Sequence, residues 1–378
     1  MIYFDNASTT FPKPEVVYDE MDFWSRNMSI NPNRGAYQLA IKAASRVFAT
    51  REKLAMLFKI KNPLQIVFTA NGTEALNLAL KGVLKPGDHV VTTSMEHNSM
   101  IRPIMKLAEV GVEYTIVPCD ETGVVDTCHI QEAIRPNTKL IAVIHASNVS
   151  GTLQPITEIS DLARRNHCLF LVDAAQTAGT YPIDVEEMNI DLLAAPGHKS
   201  LMGPLGTGFL YVREGLDLQP LKEGGTGSQS EHLTQPRQMP EGYESGSLNT
   251  PGIIGLGASV GFILDVGVEQ ILKHKQQLLA YFLNGISTLP ALKICGEPQL
   301  GVVSLQHAQL EASEVSYLLD EAFQIATRSG HHCAPLAHQT LNTQQSGTVR
   351  FSFGYFNTTD ELDVVIEALQ KICYMTAK

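Results

Sequence analysis

The sequence has no Cys-x-x-Cys pair, no run of basic residues, no long apolar stretch and a single tryptophan. Its six cysteines are scattered, so neither a zinc ribbon nor a dithiol redox motif is encoded. Reduced thiols in a cytoplasmic protein are the expectation. Lys and Arg total 28 against 39 Asp and Glu, giving a net charge of −11. A nucleic-acid partner needs clustered positive charge, so none is expected. The longest apolar run, "GIIGLGASVGFIL", is too short and too rich in glycine to span a bilayer, and no membrane role is expected. The opening "MIYFDNASTTFPKP" has neither the basic nor the apolar region of a secretory leader.

What is present is apolar bulk. Hydrophobic residues make up 44% of 378. That suffices for a large core and, at one domain per ~150 residues, for about two domains. Apolar β-branched runs such as "QIVFT", "HVVTTS", "VEYTIVP", "LIAVIHAS", "LFLVDAA" and "GTGFLYV" alternate with helical patterns such as "NGTEALNLALKGVL" and "PITEISDLARR". Continuous apolar strands between helices predict an α/β domain, its mostly parallel sheet covered on both faces. This large domain is placed at residues 15–250. Residues 1–14 and 251–378 are assigned to a smaller α+β domain. It has one helical run from "NTPG" through "HKQQLLAYFLNGI", strands at "GVVSLQ" and "TVRFSFG", and a final helix. Between the two, "EGGTGSQSEHLTQPRQMPEGYESGS" is a long polar loop, of a length usually associated with function.

Ligands of open α/β sheets bind beyond the carboxyl ends of the strands. Three strand ends carry polar residues there: Asp173 with Gln176 after "LFLVD", Asn148 after "LIAVIHAS", and Gly72 with Thr73 opening a helix after "QIVFT". The last suits a phosphate, because free backbone N–H groups and the positive end of the helix dipole face the anion. An ordinary helix cap is the alternative. Lys199 is the unusual residue. It lies in "DLLAAPGHKSLMGPLGTGFLYV", an apolar glycine-rich passage, next to His198 and between Pro196 and Pro204. A buried lysine, a strand-end carboxylate and a phosphate cradle are together what pyridoxal 5'-phosphate requires. The amine condenses with the aldehyde, and the carboxylate keeps the ring nitrogen protonated. Burial beside His198 lowers the amine pKa and makes the lysine nucleophilic. A second signal is "TRSGHHCAPLAH", in a loop between a helix and the strand "TVRFSF", with Cys333 five residues after Arg328. From these residues alone Cys333 is a passive cysteine, a metal ligand with His331, His332 and His338, or a nucleophile.

The ordered set "YFDNASTT", "RGAYQLA", "NGTEALN", "MEHNSMIRP", "SNVSGTLQP", "VDAAQTAG", "GHK", "SGSLNTPG" and "SGHHCAP" resembles the class V aminotransferase-fold proteins over nearly the whole chain. Within them it resembles the second group of cysteine desulfurases, whose active-site loop "GHHCA" matches. The resemblance implies a pyridoxal-phosphate-dependent transferase fold of type I. Such a fold has a large domain with a mostly parallel seven-stranded sheet and a smaller α+β domain. It implies that Lys199 carries the cofactor, Asp173 holds the pyridine nitrogen and Gln176 bonds the phenolic oxygen. His97 stacks on the ring and assists proton transfer, while Gly72, Thr73 and His198 hold the phosphate. Ser247 reaches the phosphate of the other subunit, which implies a homodimer with shared sites. Arg350 pairs with the substrate carboxylate, and Asn148 assists at that carboxylate or at the phenolic oxygen. The implied reaction converts L-cysteine to L-alanine. Sulfur passes to Cys333 as a persulfide and then to an acceptor protein, for iron–sulfur assembly or another thio-cofactor pathway. A class V aminotransferase, a selenocysteine lyase and another β-lyase share most of these residues. A cofactor-bound scaffold without turnover is a further alternative. Two positions depart from the pattern. Pro196 stands where many relatives have a serine or threonine, removing a phosphate hydroxyl, and Tyr37 replaces a histidine.

Overall fold

The computed structural model describes residues 1–32, 35, 37–229 and 231–376. Arg34 and Ala36 of "RGAYQLA" lie outside the described residues. After a short strand β1 (Ile2–Tyr3), two helices α1 (Glu15–Asn27) and α2 (Gln38–Phe58) precede the main sheet. Strand and helix then alternate: β2 (Ile66–Thr69), α3 (Gly72–Val83), β3 (His89–Thr93), α4 (Asn98–Ala108), β4 (Glu113–Val117), α5 (Thr127–Ala133), β5 (Thr138–Ile144), α6 (Ile156–Arg165) and β6 (Leu169–Asp173). Strands β7 (Leu192–Pro196) and β8 (Gly208–Val212) complete a seven-stranded sheet in the order β2-β8-β7-β6-β5-β3-β4. Only β8 opposes the rest, pairing antiparallel with both β2 and β7.

The continuous apolar strands have a simple cause. Successive side chains point to opposite faces, and both faces are covered. Leu193, Ala195 and Phe170 pack with Leu54 and Phe58 of α2 and Ile159 of α6. Leu192, Ala194 and Leu171 pack with Leu76 and Leu80 of α3 and Ile104 of α4. A polar residue in the middle of these strands would have no solvent to face.

The helical run after "NTPG" is not one helix. It breaks into α7 (Thr250–Val266) and α8 (Val268–Ile286), bent by 81° at Gly267, whose φ of 91° suits a residue without Cβ. Ile253, Leu256, Val260 and Ile263 of α7 belong to the core beneath the large sheet. We therefore propose drawing the division between the two units after Gly267 rather than at residue 250. Beyond it come β9 (Leu292–Cys295), β10 (Val302–His307), α9 (Ala312–Phe323), β11 (Ile325–Ala326), β12 (Arg328–Gly330), α10 (Pro335–Thr340), β13 (Thr348–Ser352) and α11 (Thr359–Thr376). An antiparallel sheet β12-β13-β10-β9 packs against α8, α9 and α11 through Leu278, Phe282, Leu319, Phe351 and Leu369. The amino terminus joins this unit, because β1 pairs in parallel with β11. Among the described residues no single helix is long and apolar enough to cross a membrane.

Candidate active site

Five parallel strands deliver one cluster. Beyond the ends of β2, β3, β5, β6 and β7 lie Gly72 and Thr73, His97, Asn148, Asp173 with Gln176, and His198 with Lys199. All of them line a single cavity, together with Asn71, Ser99, Ile144 and Pro196. A larger cavity of about 870 Å³ lies within the 219–237 loop and contains none of the expected residues.

Asn71 caps α3 by accepting the Glu74 N–H at 2.9 Å, which leaves the N–H groups of Gly72 and Thr73 at the open end. A Cβ on Gly72 would come within 3.0 Å of Pro196 Cδ, so glycine keeps the cradle and the β7 end in contact. The hydroxyl expected at position 196 is absent, but another occupies the cluster. Ser99 Oγ lies 2.7 Å from Thr73 Oγ1 and 3.0 Å from His97 Nδ1. Ser99 was not singled out in the sequence. Its signal was its place two residues into α4, just after His97. His97 caps that helix, its Nδ1 accepting the Ser99 N–H at 3.0 Å, so the neutral ring carries its proton on Nε2. Burial, with Lys199 and nearby arginines, holds the His97 pKa down near 3.

Asp173 is 3% exposed, and its Oδ1 accepts the Ala175 N–H at 2.9 Å. Burial raises its pKa, with the Ala175 bond and Lys199 opposing. Burial also lowers the Lys199 amine to about 8, against the opposing pull of Asp173. Gln176 is fixed by donating to the Ala7 carbonyl at 3.1 Å. The amino-terminal segment closes this side, because Thr9 and Thr10 hydroxyls donate to the carbonyls of His198 and Lys199 at 3.1 and 2.7 Å. Behind the cavity, Glu96 is fully buried. Its Oε1 accepts from Thr93 Oγ1 at 2.7 Å and Ile144 N at 3.1 Å, and burial pushes its pKa up to about 8. Sequence reading passed over Glu96 for its neighbour His97.

Arg350, on β13, is completely buried but not free. Its Nη2 donates to Asp5 Oδ1 at 2.6 Å and to Ser8 Oγ at 2.8 Å, and Nη1 donates to the Asn148 carbonyl at 2.9 Å. Its Nε–H has no partner. Arg328 reaches the same serine at 3.1 Å and places Nη2 3.4 Å from Cys333 Sγ. Cys333 is exposed and lies between β12 and α10 rather than directly after a helix. The rings of His331, His332 and His338 bond Gln344 O, Thr348 Oγ1 and Thr343 Oγ1. Among the described residues no three His, Cys, Asp or Glu side chains are arranged to hold a metal. Ser247 is exposed and outside the cavity, its hydroxyl accepting from Asn31 Nδ2 at 3.2 Å. Tyr37 is likewise exposed and outside it.

The profile of the family "Aminotransferase class-V" matches residues 2–365. The chain belongs to that family. It is 37% identical to a probable cysteine desulfurase of Methanothermobacter thermautotrophicus, over 99% of this chain and 95% of the relative. The structure of a cysteine desulfurase from Thermococcus onnurineus superposes with a TM-score of 0.92 at 32% identity, covering 99% of this chain and 94% of that one. An Escherichia coli cysteine desulfurase in an S-sulfonic acid form gives 0.89 at 27%, covering 99% and 94%. Family members work with pyridoxal phosphate, and the cavity fits that group. Two buried polar atoms of its lining, Asn148 Oδ1 and His198 Nδ1, have no partner among the described residues. A native structure rarely leaves such atoms without a ligand or water. The open helix end suits the phosphate and Asp173 suits the ring nitrogen.

Proposed function

We propose that this protein is a cysteine desulfurase that converts L-cysteine to L-alanine and takes up the sulfur on Cys333. The observation that carries the proposal is a lysine and a strand-end aspartate in one cavity, with an arginine-paired, exposed thiol on the adjoining loop. Lys199 would hold pyridoxal phosphate, Asp173 its ring nitrogen and Gln176 its phenolic oxygen. Gly72, Thr73, Ser99 and His198 would hold its phosphate. When bound, the group supplies an electron sink for the carbanion left by loss of the substrate α-proton.

The chain's own residues do the rest. His97, neutral and protonated on Nε2, packs at the cavity wall and hands protons on. The free Lys199 amine is the nearby base. Arg350 orients the substrate carboxylate with its remaining donors, beside the Asp5 carboxylate that already occupies part of its fork. Asn148 offers its second amide proton and Oδ1. Arg328 Nη2 faces Cys333 Sγ at 3.4 Å, and the thiolate is the reactive form of a cysteine. That thiolate attacks the substrate sulfur. An S–S bond forms as the Cβ–S bond breaks, and the released electron pair takes a proton to become the methyl of alanine. The exposed persulfide is then open to a sulfur acceptor.

We also infer a homodimer. Ile41, Phe48 and Met56 of α2, seven and eight residues apart, share one helix face and are exposed, as are Val16 and Phe23 of α1. Ser247, exposed and outside its own cavity, would serve the partner's phosphate.

The test incubates the pyridoxal-phosphate-loaded protein with L-cysteine and a mild thiol reductant. Alanine and sulfide should appear in equal amounts. Cys333→Ser should keep the visible cofactor band and lose sulfide release. Pyruvate or another keto acid as product, or full turnover by Cys333→Ser, would sink the proposal.

A further inference from the structure

His332 stands beside the reactive thiol, yet the chemistry above gives it nothing to do. It is 2% exposed, whereas Cys333 is exposed. Both residues hold left-handed backbone, with φ of 48° and 59°. Such a conformation is costly for a non-glycine residue and persists only where the surroundings enforce it. The enforcement is a closed chain of hydrogen bonds. His332 Nε2 lies 2.8 Å from Thr348 Oγ1 on β13. The Thr348 hydroxyl donates to Ser304 Oγ on β10 at 3.1 Å, and the Ser304 hydroxyl donates to the Val149 carbonyl at 2.7 Å. The neighbouring Asn148 Nδ2 donates back to the His332 carbonyl at 2.7 Å.

The polarity of this chain is determined. A hydroxyl has one proton. Ser304 spends its proton on a carbonyl, which can only accept, and Thr348 spends its own on Ser304. Thr348 Oγ1 therefore accepts from His332, whose proton sits on Nε2 and whose Nδ1 is bare. That nitrogen has no partner among the described residues. Burial, with Arg350, His338 and Arg328 close by, holds the ring neutral, its pKa near 2. The polarity is thus insensitive to pH across any working range. Both strands of the chain belong to the small sheet, and residues 148–149 lie in the turn beyond the end of β5 of the large one. Gly151 makes that junction tight: a Cβ there would sit 2.5 Å from the Val302 carbonyl.

We propose that His332 is a positioning residue, whose Nε2–H bond to Thr348 holds the strained 332–333 backbone and thereby sets Cys333 Sγ against the Arg328 guanidinium. The ring neither touches substrate nor exchanges a proton. It acts through the loop it pins. The proposal rests on the desulfurase reading, and its test separates the two.

The experiment compares Thr348→Val, which removes the hydroxyl, with Thr348→Ser, which keeps it, in the full-length cofactor-loaded protein. Three quantities are read: kcat and KM for L-cysteine, the cofactor absorbance, and the rate of Cys333 alkylation by iodoacetamide at pH 7, followed by peptide mass spectrometry. A matched control is Thr138→Val, which breaks another buried histidine–threonine pair, His89–Thr138 at 2.8 Å, far from the site. Displacement of a reacting group by about 1 Å costs up to ~100-fold in rate. Thr348→Val should therefore lose ~10- to 100-fold in kcat with KM within about threefold. It should keep the cofactor band and slow alkylation about fivefold or more, as the thiol loses its set position. Thr348→Ser should recover both to within about threefold of the parent. Thr138→Val should lower thermal stability alone.

Wild-type kcat and alkylation in Thr348→Val would overturn the proposal, as would a Thr348→Ser protein as impaired as Thr348→Val. Should Thr348→Val not fold, His332→Gln, which retains an N–H in reach of Thr348, is compared with His332→Ala. Equal loss in both would also overturn it. A Cys333→Ser protein with full turnover would instead refute the underlying desulfurase reading. A wild-type-like Thr348→Val beside an inactive Cys333→Ser would refute the positioning role alone.

Discussion

Single side chains set the chemistry of this site through burial rather than through unusual contacts. Lys199 shows it most plainly. Burial depresses the amine to about 8, so the nucleophilic free base grows as pH rises through that value. Uptake of pyridoxal phosphate by the apoprotein should therefore accelerate between pH 7 and 9, with its midpoint near 8. Stopped-flow absorbance reads it, and a flat profile would contradict the depressed amine. Ser99 carries a second expectation. It supplies the hydroxyl that Pro196 cannot. Ser99→Ala should weaken pyridoxal phosphate binding by about 10- to 150-fold, the worth of one hydrogen bond to a charged group, as measured by fluorescence titration. Lys199, Asp173, Cys333 and His97 were legible in the sequence, because each follows a strand end or sits in an unusual local context. Ser99 and Glu96 were not, since a serine early in a helix and a glutamate beside a histidine look the same whether or not a cavity lies nearby. The Asp5–Arg350 pair was not legible either. Its members are 345 residues apart and meet because the amino-terminal segment runs beside both β11 and β13.

Among the elements, α8 holds the oddest residue. Lys275 is 8% exposed, has no ion-pair partner among the described residues, and burial lowers its pKa to about 8. The folded value lies below the unfolded one of 10.5. Between these two values the unfolded chain binds the proton and the folded chain does not, so stability rises with pH from about 8 to 10.5. Below pH 8 the full penalty is present. Lys275→Met should accordingly raise the unfolding free energy at pH 7 by roughly 2–3 kcal/mol and make the alkaline rise shallower. Urea titrations at pH 7 and 9.5 check both. The same region marks where reading by pattern failed. Apolar periodicity runs without interruption through 250–286, and only the conformation of Gly267 turns one predicted helix into two.

For the molecule as a whole, the sheet was the most legible feature, since uninterrupted apolar strands require cover on both faces. The face proposed for the dimer was not, because exposed apolar residues on an amphipathic helix resemble those of any core-facing helix until the fold shows which face is left over. A mass near twice that of the chain is expected by light scattering. Ile41→Glu combined with Met56→Glu should yield monomers that bind pyridoxal phosphate less tightly, since Ser247 would no longer reach a neighbouring site. A double variant that stays dimeric would redirect attention to another surface.

The first ten residues add a consequence of their own. They contribute one short strand, yet Asp5 and Ser8 neutralise and orient the two arginines, Ala7 anchors Gln176, and Thr9 and Thr10 hold the turn carrying Lys199. Trimming the amino terminus by a dozen positions would remove fully buried Phe4 from the core of the smaller unit and the Ser8 contact of Arg328. It would also unfasten Lys199 and Arg350 together, from a part of the chain usually regarded as expendable.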